Sequence, residues 1–267
     1  MNPKDTVPTI SIVMPSYQSA RFIRQALDSV LSQHYPRLEL LVMDGGSRDG
    51  TVDILKSMGN RVRWVSEKDE GQANALNKGF RMASGEIVGW LNADDLYETN
   101  ALMTVGDYFL AHPEAMWAFG PCSIINDKGD EIRKWVTQYK TFRLRRYSYP
   151  ALLSENFISQ MGVFMRRSAI LEARGVDESR HYAMDYDLWL KLGRLYRPGY
   201  LDQTIGKFRM YDSTKSMTGF HRQFQEDFEV AKKYAAGTWL PIFLHKLNQI
   251  KITVLYRLMA GRRTVKR

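Results

Sequence analysis

Four polar segments of the chain carry residue types at spacings suited to chemistry. In Asn92-Ala-Asp94-Asp95, two adjacent carboxylates follow an apolar run, Glu86-Ile-Val-Gly-Trp-Leu91. Such a pair repels itself and loses solvation. A divalent cation offsets both costs, and hard carboxylate oxygens suit Mg²⁺ or Mn²⁺, with positions left for water and phosphate. Asp before Leu96-Tyr97 also reads as a helix cap, and spacing alone leaves the two readings open. Asp44 opens Asp44-Gly-Gly-Ser-Arg-Asp-Gly-Thr51; it suits either the donors of a base or ribose, or a turn before two glycines. Asp185, in Tyr182-Ala-Met-Asp185-Tyr-Asp187-Leu-Trp189, stands at the start of an apolar helix. It fits a general base or a cap favoured by the helix dipole, with Asp187 the better structural candidate. Lys78 lies on a predicted helix, solvated or reaching a phosphate. His181 reads as a surface or hydrogen-bonded histidine rather than a ligand.

The elements that must position these residues alternate in period. Thr9–Met14, Leu38–Met43, Arg61–Val65 and Glu86–Leu91 read as buried strands, the first stopped by Pro15. Ala20–Ser32, a segment from Thr51 to about Met58, and Gly71–Met82 read as the helices between them. Strand–helix alternation with short loops predicts a parallel, doubly wound α/β sheet, with the loops after the strands on one ligand-binding edge. All four polar segments then converge on one crevice. Beyond residue 120 the pattern predicts a mixed second half. A turn at Asn126–Gly129 joins strands Ala118–Ile125 and Glu131–Thr137. Met161–Met165 is a further strand, and helices cover Tyr186–Leu195 and Ser213–Ala235. Neither GxGxxG nor GxxxxGKS occurs, which weighs against dinucleotide-binding and P-loop folds.

Length and composition fit one domain with a sizeable core: 267 residues, 44% hydrophobic and 25% charged. A single cysteine, Cys122, excludes an internal disulfide framework and a multi-cysteine zinc site. The net charge of +9 lies entirely in the tail: nine of the 38 cations and none of the 29 anions follow Glu229. The body is neutral, which argues against nucleic acid; a basic tail suits anionic phosphates such as lipid headgroups. From Phe243, the residues Leu247, Ile250, Val254 and Leu258 form a helical apolar stripe, followed by Arg262, Arg263, Lys266 and Arg267. Packing of that stripe on the body is the alternative. No signal-peptide core and no spanning apolar run is found, so the expectation is a cytoplasmic protein, peripheral on the inner membrane face. The division expected is a catalytic domain over 1–238 and a basic tail over 239–267.

Together, Ile12-Val-Met-Pro-Ser-Tyr-Gln18, Asp44–Thr51, Asp69–Gly79, Ala83-Ser-Gly-Glu86, Trp90–Asp95 and Asp185–Trp189 resemble family-two glycosyltransferases of the GT-A fold, polysaccharide type, over roughly residues 8 to 215. The resemblance implies a nucleotide-diphosphate sugar donor, most commonly a UDP-sugar, a divalent metal, and inversion at the anomeric carbon. It implies a saccharide or lipid-linked acceptor. By position it puts Pro15 and Tyr17 along the base and ribose, Asp44 on the base and Lys78 toward phosphate. Asn92, Asp94 and Asp95 fall at the metal and diphosphate motif, with Asp94 and Asp95 as metal ligands, and Asp185 is the base. Gln160, Phe164, Arg166 and Trp189 are candidates for the acceptor side. Two departures stand out: Asn92 replaces the motif's first acid, and Met184 replaces the usual Glu before the base. A sugar-phosphate nucleotidyltransferase would need a Gly-rich basic loop where Pro-Ser-Tyr-Gln18 stands. A non-catalytic binding module would not require Asp44, Asp94, Asp95 and Asp185 together.

Overall fold

The computed structural model describes residues 7–212, 214 and 219–261, with side chains as far as residue 253. Its main sheet has seven strands, in the order β3-β2-β1-β4-β8-β6-β9. These are β1 (Ile10–Ser16), β2 (Leu38–Asp44), β3 (Arg63–Ser66), β4 (Ile87–Trp90), β6 (Trp117–Phe119), β8 (Val163–Arg166) and β9 (Gly199–Tyr200). The first four are mutually parallel, whereas β8 runs antiparallel to both β4 and β6. A second sheet, β5-β10-β7, joins β5 (Leu96–Tyr97), β10 (Gly206–Arg209) and β7 (Cys122–Ile125). This is the expected parallel half and mixed half.

β1 is buried along its whole length because helices cover both faces of the sheet. Its side chains alternate: Ile10, Ile12 and Met14 join one core, while Val13 joins the other. The first core is closed by α1 (Ile23–Leu31), α2 (Thr51–Ser57) and α4 (Ala101–Ala111). The second is closed by α3 (Gln72–Met82), α6 (Tyr149–Ser154), α7 (Arg167–Glu172) and α8 (Met184–Leu195). α3 lies so close on β1 that a Cβ at Gly79 would meet Val13 Cγ1 at 2.3 Å.

Three expectations change, the first being the single strand expected over Ala118–Ile125, which divides into β6 and β7 of different sheets. Pro15 does not stop β1, which continues to Ser16. Val13 O accepts from Leu91 and Ser16 O from Gly45, so alternate residues face alternate neighbours. Pro15 therefore faces the side that β4 has left after Val13, where its missing N–H goes unwanted. The strand expected over Glu131–Thr137 shrinks to a single bridge between Ile125 and Glu131, followed by helix α5 (Lys134–Arg145).

The chain ends in two helices, α9 (Phe220–Tyr234) and α10 (Trp239–Gly261). The start expected for α9 at Ser213 lies outside the described residues. α10 turns polar groups inward: His245, 3% exposed, bonds through Nδ1 to Leu153 O at 2.8 Å, and Asn248 donates to Ser154 O at 3.1 Å. Ile242 packs against the second core and Leu247 is half-buried, whereas Phe243 and Ile250, each 53% exposed, point outward beside Trp239 and Leu240. The side chains of Val254, Arg257 and Leu258, and the cations at 262, 263, 266 and 267, lie outside the described residues. Among the described residues no helix is long and apolar enough to cross a membrane.

Candidate active site

Parallel pairing brings the C-terminal ends of β1, β2 and β3 level: Ser16 pairs with Asp44, and Asp44 with Ser66. Asp44 is buried there. Its Oδ2 accepts from Gly46 N at 3.1 Å, Ser47 N at 2.9 Å and Ser66 Oγ at 2.6 Å, and its Oδ1 from Ser47 Oγ at 2.6 Å. The carboxylate thus shapes the turn that follows β2. Gly45 in that turn admits Asp69, whose Oδ2 would stand 2.8 Å from a Cβ. The loops after β1 and β2 are laced together: Gln18 N donates to Ser47 Oγ, Arg48 N to Gln18 Oε1, and Ala20 N to Asp49 Oδ2. Pro15 is buried inside β1, and the Tyr17 ring stands 64% exposed at its end.

The loop between β4 and β5 divides the adjacent carboxylates between two tasks. Asp95 is 0% exposed; its Oδ1 accepts from Arg209 N at 2.8 Å and its Oδ2 from Asn92 Nδ2 at 3.1 Å. Burial, then the neighbouring Asp94, pushes its carboxyl well above the usual range. Asp94 is half-buried, and its Oδ2 accepts from Tyr211 OH at 2.9 Å. The two acids are therefore not equivalent: Asp95 belongs to the interior and Asp94 to the crevice edge. Asn92, where an acid was the expected type, accepts from Trp90 Nε1 and Gln72 Nε2 through Oδ1 and so orients its amide toward Asp95.

Arg209 organises this loop and was missed in the sequence. Only 1% exposed, it donates from Nε to Asp94 O at 2.8 Å and from Nη2 to Gln25 Oε1 at 2.8 Å. Nη1 reaches Asn126 O and Asp127 O at 3.3 and 3.2 Å, and the guanidinium lies over the Phe22 ring. A cation closing the strand Gly206-Lys-Phe-Arg209 was the signal available, since a buried Arg needs acceptors around it.

Asp185 sits half-buried in the first turn of α8, beside Asp187. Asp187 is structural: buried, it pairs with Lys191 at 2.8 Å and Lys233 at 3.1 Å and accepts from Tyr234 OH at 3.0 Å. Asp185 shares its surroundings with Asp227 on α9 and Lys140 on α5, neither of which the motifs indicated. Burial raises the Asp227 carboxyl well above its usual range, Asp185 and Glu226 add to the rise, and Lys140 opposes it. Burial lowers the Lys140 ammonium, against the pull of Cys122, Glu155, Asp185 and Asp227. Burial raises the neighbouring Cys122 thiol to about 12.

The remaining candidates separate. Gln160 lies at the crevice end of β8 and donates to Trp90 O. Arg166 does not face the acceptor side. It pairs with Ile87 at the start of β4, the opposite sheet edge, and binds Glu86 and Ala115 O. Trp189 is not at the site either; fully buried, it stacks on Trp117 with centroids 6.2 Å apart. Phe164 is core as well. Lys78 is held by Glu67 at 2.7 Å, and His181 is exposed.

Among the described residues, no three or more His, Cys, Asp or Glu side chains group to cage a metal. Asp94 instead presents a single carboxylate, a hard oxygen donor, at the crevice edge. That suits Mg²⁺ or Mn²⁺, whose shell is completed by water and substrate phosphates.

A parallel sheet with laced loops at one edge and an acid set at the end of β4 is the architecture of a GT-A glycosyltransferase. The chain belongs to glycosyl transferase family 2, whose family model matches residues 11–172. It is 28% identical to an uncharacterized glycosyltransferase of Rickettsia typhi over 80% of this chain and 68% of that one. To a chondroitin synthase of Escherichia coli it is 30% identical over 71% of this chain, but it spans only 27% of that protein. In fold it is similar to S. aureus TarS 1–349 in complex with UDP, with a TM-score of 0.65 at 17% identity over 86% of this chain and 66% of that one. It is similar also to the mannosyltransferase PcManGT of Pyrobaculum calidifontis in complex with GDP-Man and Mn²⁺, with a TM-score of 0.65 at 18% identity over 97% and 80% of the two chains.

Proposed function

We propose that this glycosyltransferase inverts: it moves a sugar from a nucleoside-diphosphate donor to a hydroxyl of a saccharide or lipid-linked acceptor. The observation that carries the reading is Asp94, fixed by Tyr211 and Arg209 at the edge where the loops of β1 to β4 meet. The exposed Tyr17 ring and the Asp44 turn take the base and ribose. Uracil is the base we favour, in line with the UDP complex of TarS; the GDP-Man complex of PcManGT makes guanine the competitor. A Mg²⁺ or Mn²⁺ ion held by Asp94 and the diphosphate would neutralise charge on the departing nucleoside diphosphate. Asp185 takes the proton of the acceptor hydroxyl. The freed oxygen bonds to the anomeric carbon from the opposite face, and the electron pair of the breaking C–O bond leaves with the diphosphate.

The reading includes a place of work, a cytoplasmic membrane surface. The outward apolar face of α10, flanked by the exposed Lys246 and Lys251, supports contact with anionic lipid.

Release of nucleoside diphosphate from a panel of nucleotide sugars tests the donor. Calorimetry of UDP with Mn²⁺ and with chelator, on wild type and Asp94→Asn, tests the ion. Asp185→Asn should lower kcat by on the order of 10²-fold or more and leave donor binding intact. Equal UDP affinity with and without metal overturns the role of Asp94, and near wild-type turnover of Asp185→Asn overturns that of Asp185.

A further inference from the structure

Helix α8 takes only part of its cap from its own first turn, where Asp185 Oδ1 accepts from Tyr186 N at 2.7 Å. Its N-cap residue, Ala183, has no side-chain oxygen to accept the exposed N–H groups of the first turn. The segment just ahead of the helix is held from another helix. Glu226 of α9 receives three main-chain N–H bonds on a single carboxylate oxygen, from His181 at 3.1 Å, Tyr182 at 2.8 Å and Ala183 at 3.0 Å. A negative charge thus stands at the positive end of α8, two residues before Asp185.

The rest of α9 grips the same helix. Lys233 and Tyr234 hold Asp187 one turn along. At the other end, Gly219 lies so close to the Tyr182 ring that a Cβ there would approach Cε1 to 2.1 Å. The segment at 181–183 carries no regular structure of its own, so its path is set by these contacts. α9 lies beyond the 11–172 span that marks the family, and no motif of the sequence points to it.

We infer that Glu226 is a positioning residue for the general base: by binding the three N–H groups ahead of α8 it fixes where Asp185 meets the acceptor hydroxyl. The inference rests on the reading of Asp185 as the base. Glu226 does not touch substrate. Its effect passes through the backbone of 181–183, and a displacement of about 1 Å at a reacting group costs on the order of 10²-fold in rate.

The test uses full-length protein and five variants: Glu226→Gln, Glu226→Asp, Asp185→Asn, the double variant Glu226→Gln with Asp185→Asn, and Glu229→Gln. The last, on the same helix as Glu226, breaks the surface pair of Glu229 with Arg180 and serves as a control for a lost ion pair. Turnover and acceptor KM are measured at saturating donor, well below each melting temperature, and donor affinity is measured by calorimetry. Glu226→Gln should lower kcat on the order of tenfold with donor affinity unchanged. Glu226→Asp, which keeps the charge, should recover part of the loss, and Glu229→Gln should match wild type. The double variant should be no slower than Asp185→Asn alone, because both changes act on one proton transfer. Wild-type turnover by Glu226→Gln at a lowered melting temperature, or losses that multiply in the double variant, would overturn the inference. In those outcomes Asp185→Asn remains impaired, whereas an active Asp185→Asn overturns the base reading and this inference with it.

Discussion

Replacing Arg209 with Met removes the guanidinium while keeping an unbranched stem against Phe22. Four contacts go: those to Asp94 O and Gln25 Oε1 at 2.8 Å, and the weaker pair to Asn126 O and Asp127 O at 3.2–3.3 Å. Gln25 is exposed and turns to water, and the pair on Nη1 shares one nitrogen, so the four do not count equally. At about 0.5–1.5 kcal/mol for each net hydrogen bond, and more for a charged donor, the loss comes to about 3 kcal/mol. In a chain of this size that lowers the melting temperature by about 6–12 °C. The β4–β5 loop loses its anchor to β10, and UDP affinity should fall on the order of tenfold, equivalent to about 1.4 kcal/mol. Arg209→Lys separates charge from shape: an ammonium reaches one acceptor where the planar fork reaches several, so it should fall between the two. Thermal melts followed by circular dichroism, with UDP calorimetry, supply both readouts. An Arg209→Met protein melting within 2 °C of wild type, or a Lys variant equal to wild type, would refute the argument that the fork ties the site together.

Burial holds the His245 imidazole below its usual value of 6.5, against the bond to Leu153 O. The unfolded chain then binds more protons near that pH. The stabilisation is complete above about pH 6.5 and lost as pH falls through it; the melting temperature of wild type should drop between pH 8 and 5 more than that of His245→Gln. Trp189→Ala should cost about 3–5 kcal/mol by leaving a cavity against Trp117, measured by urea titration, while Arg166→Met should leave acceptor KM unchanged, as neither side chain faces the site. On α10, Phe243→Ser with Ile250→Ser leaves the inward polar contacts intact and should weaken flotation with anionic vesicles by on the order of tenfold per residue. Equal flotation of variant and wild type sinks the membrane reading.

The parallel half of the fold was legible because its signals are local. Ile10 to Met14 is apolar but for Ser11, as suits a strand covered on both faces, and Gly71 to Met82 shows one helical face. The loops bearing Asp44, Asp94 and Asp185 were legible as residue types at element ends. What those side chains do was less so, because it depends on partners distant in sequence. Asp95 and Arg209 meet across 114 residues, and nothing beside Asp95 says that it is the interior member of its pair. Trp189 and Arg166 failed as site residues for the same reason: a bulky aromatic and a cation look functional until Trp117 and Glu86 are seen against them. The segment after Glu131 misled through composition. Ile132, Trp135 and Val136 suit a strand, yet α5 buries Leu144 and turns Trp135, Tyr139 and Phe142 outward, a pattern set by its neighbours.

The reach of Arg209 back to Asp94 also bears on how the protein is made. Synthesis proceeds from the N-terminus, and a chain halted at residue 172 already carries Asp44, Asp94, Asp95 and the span by which the family is recognised. It lacks β10, the hydroxyl of Tyr211 that holds Asp94, and the helices that present Asp185. The crevice therefore cannot close on the ribosome until some forty further residues have emerged, and the segment ahead of α8 gains its anchor only with Glu226, later still. In a nascent chain the edge bearing the loops of β1 to β4 is laid down early and stands open, with the carboxyl of Asp95 waiting for the strand that covers it. Fragments trimmed to the family boundary would inherit that unfinished state.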